Sequence, residues 1–296
     1  MTEVYRKWFW VLTVPALILY ALVVAAPFAA GVLYSFTAWR GTYFAGGGNA
    51  FSAFVGLENY RKAFASAEFR AAFGNSVEFT VLTAAAAVLG GLVLALLTQH
   101  AGRAAGFFRA GFFLPNLLGG LALGYIWSFV FETVFGIVFG EGALDLPFFR
   151  NMLQSRHRAI LAMAIVAAWQ MAGYLMMIFV TGLASVPQEL FEAAAIDGCG
   201  AWTRFRHVTL PLLVPSFTIS VFLALANCFK MLDINVALTE GRFNTRLLAY
   251  QILRATRDAS PPDYGLAQAE AVIFFVLIAL ITLTQVALTK RREVSL

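Results

Sequence analysis

Charge is what this chain of 296 residues has least of: Asp, Glu, Lys and Arg make up 12% of it, about half the share usual in a soluble domain. Hydrophobic residues make up 60%, against roughly 45–50% in soluble proteins. So little polar material cannot coat a water-soluble globule, and the composition implies that lipid is part of the solvent. Cysteine is nearly absent. Cys199 and Cys228 stand far apart in no CxxC or Cys/His spacing, which excludes a disulfide framework and leaves them as small apolar side chains. The three histidines, His100, His157 and His207, are dispersed and form no HExxH, so no metal site is expected. Lysine occurs only at Lys7, Lys62, Lys230 and Lys290, never after a glycine. A phosphate-binding loop needs Gly-Lys-Ser/Thr, so no ATP or other cofactor is expected on this chain. The formal net charge of +5 is spread between apolar runs with no basic cluster interleaved with aromatics, which argues against a nucleic-acid partner.

What is present is a series of long uncharged runs. A bilayer core of about 30 Å takes about 20 apolar residues per helix, and uncharged stretches of that size occur at Trp8–Trp39, Phe79–Gln99, Ala110–Phe131, Ala159–Gln188, Val208–Phe229 and Ala271–Thr289. The first is too long for the apolar core of a signal peptide, and Pro27 follows the small residues Ala25 and Ala26, so it reads as a span. The expected fold is all-α and integral to the membrane, a single domain over residues 1–296 with six transmembrane helices. An even number of spans puts both termini on one side. With the termini cytoplasmic, Arg6, Lys7, Arg103, Arg109, Arg204, Arg206, Lys290, Arg291 and Arg292 lie inside, mostly in short segments close to the membrane where the positive-inside rule operates.

The segment after the fourth apolar run, about residues 185–211, differs from the other links. Ser185 and Gln188 have capping-box spacing, and Pro187 falls within the first turn. Leu190, Phe191, Ala194 and Ala195 then make an apolar stripe at helical spacing. Asp197-Gly198 is a turn signal, because glycine accepts positive φ. Trp202, Phe205 and Val208 mark a second short helix expected to stop at Leu210-Pro211. The segment therefore reads as a cytoplasmic helix-turn-helix between the fourth and fifth spans. Within the spans, polar residues are the candidates for a solute path, since ionisable groups in lipid are costly and usually face a cavity or a partner. These are Asn227, Lys230, Asp233 and Asn235 near the outer end of the fifth span, and Trp169, Gln170 and Tyr174 in the fourth. Lys230 and Asp233 also stand at the spacing of a helical ion pair, and the aromatics of the fourth span serve helix packing equally well. Gly120 and Gly124 fit the GxxxG pattern of close helix approach.

The helix-turn-helix carries a resemblance. Glu192-Ala193-Ala194, three residues, Gly198, nine residues, and Val208-Thr209-Leu210-Pro211 is similar to the EAA loop of permease subunits of binding-protein-dependent ABC importers, departing only in Val208 for isoleucine. Phe54–Arg61, Phe107–Pro115, Ala194–Gly198, Leu210–Pro215 and Phe229–Asp233 resemble further segments of the carbohydrate-type permeases of that family. Where relatives often carry Gly-Gly-Pro, this chain has Glu240-Gly241-Arg242. The resemblance implies a permease in the cell membrane for a sugar or sugar derivative, and not an enzyme. It implies two ATP-binding subunits that receive the loop through Glu192, Ala193, Ala194, Gly198, Leu210 and Pro211. Leu190 or Phe191 would fill a pocket on them. It also implies a second, related permease and an extracytoplasmic solute-binding protein that meets the outer segments Gly41–Gly74 and Thr239–Leu266. An ion-coupled secondary carrier is the alternative, but the chain shows no repeated halves and its charges gather near span ends. A membrane-embedded enzyme would need a GxSxG or metal-ligand pattern that the sequence lacks.

Overall fold

The computed structural model describes residues 2–141 and 146–290. The basic residues Arg291 and Arg292 of the topology argument lie outside that range. Helices account for nearly all regular structure: α1 (Thr2–Tyr20), α2 (Ala26–Tyr34), α3 (Glu58–Ala65), α4 (Ala67–Gln99), α5 (Ala105–Leu117), α6 (Gly120–Phe129), α7 (Arg156–Ala184), α8 (Gln188–Ile196), α9 (Ala201–Arg204), α10 (Leu210–Leu212), α11 (Val214–Phe229), α12 (Asp233–Leu238), α13 (Leu248–Ala255) and α14 (Tyr264–Lys290). The exception is a two-residue hairpin, β1 (Trp39–Arg40) with β2 (Tyr43–Phe44). Among the described residues, five helical stretches are long and apolar enough to cross a membrane: Trp8–Tyr34, Ala67–Gln99, Gly120–Phe139, Arg156–Ala184 and Tyr264–Lys290. A sixth exists if the bent pair Ala201–Leu212 and Val214–Phe229, meeting at 65°, counts as one span.

Two of the expected spans are redrawn, each for a stereochemical reason. The run Ala110–Phe131 is not one helix. The backbone turns extended at Leu118 and Gly119, with ψ of 136° and 137°, so α5 ends there and the crossing stretch is Gly120–Phe139. Pro115 weakens the last turn of α5 and Gly119-Gly120 costs little to unwind. The run Val208–Phe229 does not begin at Pro211 either. The helix continues through Leu212 and bends at Leu213, because Pro215 has no N–H for the preceding turn and instead occupies the first turn of α11. Proline also explains two π turns. Ala26 N–H reaches Ala21 C=O just before Pro27, and Leu210 N–H reaches Phe205 C=O just before Pro211. In each case the ladder widens by one residue where a proline ring would crowd it.

The chain forms two compact units. The first comprises Met1–Phe69 and Ile252–Val276. Its stretch Trp8–Tyr34 buries none of its apolar window in the protein, as expected of a surface that meets lipid. The segment after α2 is clamped by the Phe54–Arg61 motif: Asn59 Nδ2 donates to the carbonyls of Ser35 and Thr37, both at 2.9 Å, and Tyr60 shares a 2.6 Å hydrogen bond with the Ser35 hydroxyl. The hairpin is tied to the approach to α14 by Arg40–Asp263 at 2.9 Å and by Trp39 against Tyr264.

The second unit comprises Arg70–Gln251 and Leu277–Leu296, and is organised around α7. Ile160, Met163, Leu175, Met176 and Phe179 are fully buried there among Phe79, Leu123, Leu213, Ile234 and Leu247. The Gly120/Gly124 pattern packs within the chain. A Cβ on Gly124 would come to 2.5 Å from Ala237 Cβ, and one on Gly120 to 2.8 Å from Asp233 Cβ. Helices α6 and α12 thus lie side by side at glycine-limited distance. Asn235, a path candidate by sequence, is instead wholly buried. Its amide donates to Thr239 Oγ1 and to the Thr245 carbonyl, while its oxygen accepts the Leu247 N–H. It shapes the loop after α12.

Replacing Asn235 by leucine strands the Leu247 N–H and the Thr245 carbonyl, at about 1–3 kcal/mol for each buried group left unsatisfied. The detergent-solubilised chain should melt several degrees lower, at roughly 2–4 °C per kcal/mol. An unchanged melting temperature would show that the clamp is dispensable.

Candidate functional site

Two helix interruptions face each other in the second unit. One is the extended pair Leu118-Gly119 between α5 and α6. The other is the stretch from Lys230 to Leu232 between α11 and α12. Between them lies a cleft of about 440 Å³ lined by Asn116, Gly120, Gln170, Met171, Tyr174, Asn227, Lys230, Met231, Leu232 and Asp233. Five of the seven path residues expected from sequence are brought together here: Gln170, Tyr174, Asn227, Lys230 and Asp233. Asn235 is buried, as described above, and Trp169 does not line the cleft. Its ring packs edge-on against Trp127 at 5.6 Å.

Each polar group has a structural reason for its position. Gln170 Nε2 donates to the Leu118 carbonyl at 3.0 Å, serving an acceptor released where α5 stops. Asn227 Nδ2 donates back to the Leu223 carbonyl, one turn earlier in α11, which leaves its oxygen for the cleft. Lys230 caps the end of α11 and Asp233 opens α12. The helical ion pair suggested by their spacing does not form: the chain between them is not helical, and no ion pair joins them. Both are exposed to the cleft. The sequence reading missed Asn116, Met171, Met231 and Leu232. Asn116 had a signal, as an amide just after a proline inside an otherwise apolar run.

The cleft therefore presents three amides that both donate and accept, one ammonium, one carboxylate, one phenol ring and two flexible thioethers. Its two charges are opposite, so it carries no net charge. Such a lining suits a neutral solute with many hydroxyls, each able to donate and accept. Among the described residues, no group of three or more His, Cys, Asp or Glu is placed to hold a metal ion.

The second candidate is the helical hairpin from α8 to α10. Ser185 caps no helix start: its hydroxyl donates to the Gly182 carbonyl at the end of α7. Helix α8 begins at Gln188 behind Pro187, with no side-chain cap, because the extended Pro187 holds Ser185 away from the first turn. The end of α8 is a Schellman motif. Cys199 N–H bonds Ala194 C=O, Gly198 N–H bonds Ala195 C=O, and Gly198 has φ +74°. Its open surroundings place the demand for glycine in the backbone angle alone. Arg204 then covers the Phe191 ring at 5.9 Å, fastening α9 to α8. Glu192 accepts a hydrogen bond from Gln188 at 3.0 Å, Ala193 is exposed and Ala194 buried. Leu210 and Pro211, in α10, join the hairpin to the bend at Leu213. The apolar side chains that stand free are Ile196, 87% exposed, and Trp202, 71% exposed. Phe191, named from sequence as a pocket filler, is half covered, and Leu190 is only 37% exposed.

Residues 87–294 match the protein family described as binding-protein-dependent transport system inner membrane component. Over 295 residues, 98% of this chain and 96% of the relative, the sequence is 38% identical to the probable starch degradation products transport system permease protein AmyD of Thermoanaerobacterium thermosulfurigenes. It is 33% identical over 98% of its length, and 97% of the relative's, to the multiple sugar-binding transport system permease protein MsmF of Streptococcus mutans. Among solved structures, the fold matches a chain of a bacterial alginate ABC transporter in complex with alginate pentasaccharide-bound periplasmic protein. The TM-score is 0.80 at 17% identity, over 98% of this chain and 96% of that one.

Because Lys230 and Asp233 do not pair, Lys230→Met and Asp233→Asn should act independently on thermal stability. The double variant should equal the sum of the single effects within about 0.5 kcal/mol. Recovery of stability in the double variant would reveal a pairing.

Proposed function

The chain belongs to the binding-protein-dependent transport system inner membrane components, and we propose that the solute it passes is a sugar or sugar derivative that travels through the cleft between α7, α11 and α12. It is a permease subunit of an ABC importer, a multi-pass membrane protein that works with a solute-binding protein. One observation carries the substrate assignment: Gln170, Tyr174, Asn227, Lys230 and Asp233, drawn from three helices and the break between two of them, converge on one uncharged-on-balance polar cleft. The relatives AmyD and MsmF, named for starch degradation products and multiple sugars, support the same class.

Residues 1–296 act as a single permease domain, and this chain performs no hydrolysis. Two ATP-binding subunits supply it, each pair of permease chains presenting two hairpins. Ile196 and Trp202 seat the hairpin on the ATPase surface. Ala193 lets that surface approach closely, and Glu192 orients the contact. Gly198 fixes the angle between α8 and α9, and Leu210-Pro211 passes movement to α11. The basic residues near the hairpin and at both ends of the chain support a cytoplasmic location for this loop and for both termini. A second, related permease completes the path. The binding protein meets Gly41–Gly74 and Thr239–Leu266 on the outer side.

Two variants test this reading in proteoliposomes containing the chain, its partner permease, the ATPase subunits and the binding protein. Asn227→Ala removes a neutral hydrogen bond worth about 0.5–1.5 kcal/mol, so the KM for sugar uptake should rise roughly 2- to 10-fold. Gly198→Pro imposes a φ near −65° where +74° is required. It should insert in the membrane yet lose co-purification of the ATPase. Wild-type uptake by both variants, or ATP-independent uptake by this polypeptide alone, would overturn the assignment.

A further inference from the structure

Helices α6 and α12 keep step along their seam: Gly120 faces Asp233, and Gly124 faces Ala237 four residues on in each. They are therefore parallel, and the main cleft sits at their N-terminal ends. A second, smaller cleft of about 220 Å³ lies further along the same seam, lined by Tyr125, Ser128, Glu132, Gln154, Arg242 and Phe243 among others. From Gly120 to Ser128 the axial rise is roughly 12 Å.

Several independent features mark this place. Tyr125, Ser128 and Glu132 share one helix face at i, i+3 and i+7. Glu132 lies in a π turn, Val130–Val134, a distortion found disproportionately at functional positions. It is a carboxylate in the apolar stretch Gly120–Phe139, where charge is costly unless it serves a cavity. Among the described residues no ion pair engages Glu132, whereas Glu240 and Arg242 pair with each other at 3.0 Å. The opposite wall is strained: Glu240, Phe243 and Asn244 all have φ between 49° and 59°, a conformation that non-glycine residues hold only when their surroundings impose it. The imposing contacts are Asn235, described above, and Asn75, whose amide donates to the Asn244 and Arg246 carbonyls. The strain holds an exposed Phe243 ring over the cleft that contains the exposed Tyr125.

We propose that this second cleft is a sugar subsite at the outer mouth of the path, taking one neutral sugar ring between Tyr125 and Phe243 with its hydroxyls on Glu132, Ser128 and Gln154. This rests on the import reading and on the outward placement of the loop after α12. The two ring faces supply the apolar side of a sugar. The carboxylate accepts from adjacent hydroxyls, and Ser128 and Gln154 both donate and accept. With Glu240 and Arg242 cancelling, Glu132 leaves one net negative charge, so the mouth discriminates against anionic sugars before they reach the uncharged-on-balance cleft within.

Binding to the full complex in nanodiscs, without binding protein, tests this by saturation-transfer NMR with maltotriose and trigalacturonate as probes. Wild type should bind maltotriose in preference to trigalacturonate. Phe243→Ala and Glu132→Gln should each weaken maltotriose binding roughly 2- to 10-fold, Phe243→Tyr should restore it, and Glu132→Gln should raise trigalacturonate binding. Asn227→Ala in the inner cleft should add its own loss to either. If Asn227→Ala weakens maltotriose but the folded Phe243→Ala and Glu132→Gln variants bind like wild type, the outer subsite is wrong and the inner path stands. If Asn227→Ala too leaves binding unchanged, the path assignment fails and the subsite with it. Trigalacturonate bound by wild type as tightly as maltotriose would end the charge-selection claim.

Discussion

Backbone hydrogen bonds have no water to fall back on inside a bilayer, and that constraint organises the second unit. A helix that stops where water is scarce frees carbonyl and amide groups, which survive only when buried in protein or lining a wet cavity. The chain stops two helices, at Leu118-Gly119 and at Lys230–Leu232, and both breaks border the same cleft. Gln170 answers part of the demand by donating to the Leu118 carbonyl. The rest of the lining is what such a place needs: amides, an ammonium and a carboxylate that water can hydrate. The irregular backbone and the polar side chains are two consequences of one requirement, which is why five separately nominated residues fall in one cavity.

Stiffness and freedom are distributed with the same logic. Along the α6–α12 seam, Gly124 and Ala237 let two helices touch so closely that no side chain intervenes, and Asn235 pins the loop beyond. This wall has little room to deform. Toward the hairpin the sequence places Pro211 and Pro215 four residues apart, giving a π turn and then a 65° bend at Leu213. A bend with a released hydrogen-bond ladder can change angle at low cost. On the proposed coupling mechanism, force applied at α8 therefore reaches α11 through a joint, while the walls of the path move as bodies.

The sequence revealed most where one physical rule dominates. Runs without charge located the spans, because lipid tolerates little else. The hairpin turn was legible because only glycine sits easily at φ +74°, and its spacing to Pro211 was distinctive. The expected capping box at Ser185 failed because Pro187 competes for the same stretch and holds it extended. The third span was misplaced because hydropathy does not register a break made of Leu-Gly-Gly, although Asn116 beside Pro115 marked it. Lys230 and Asp233 looked like a pair only under the assumption of continuous helix. The two-unit division and the strained wall at Glu240, Phe243 and Asn244 depend on contacts between segments distant in sequence, such as Asn75 with Asn244, which local pattern cannot carry.

The failure of Lys230 and Asp233 to pair has a further consequence for how the proposed path would work. Two charges that do not pair with each other at the end of a membrane helix are tolerable when water or solute solvates them. A sugar hydroxyl offers nearly the same donor and acceptor capacity as the water it displaces, so exchange at these groups is close to balanced and costs or gains little. A path must bind its solute strongly enough to admit it and weakly enough to let it go. A cleft whose polar groups can exchange water for hydroxyls meets both conditions for a polyhydroxylated solute. An ion-paired lining would have offered no handholds, and a lining of one charge sign would have trapped a counter-ion. On the proposed reading, the balance of one cation, one anion and three amides suits passage rather than capture, and leaves tight recognition to the separate binding protein.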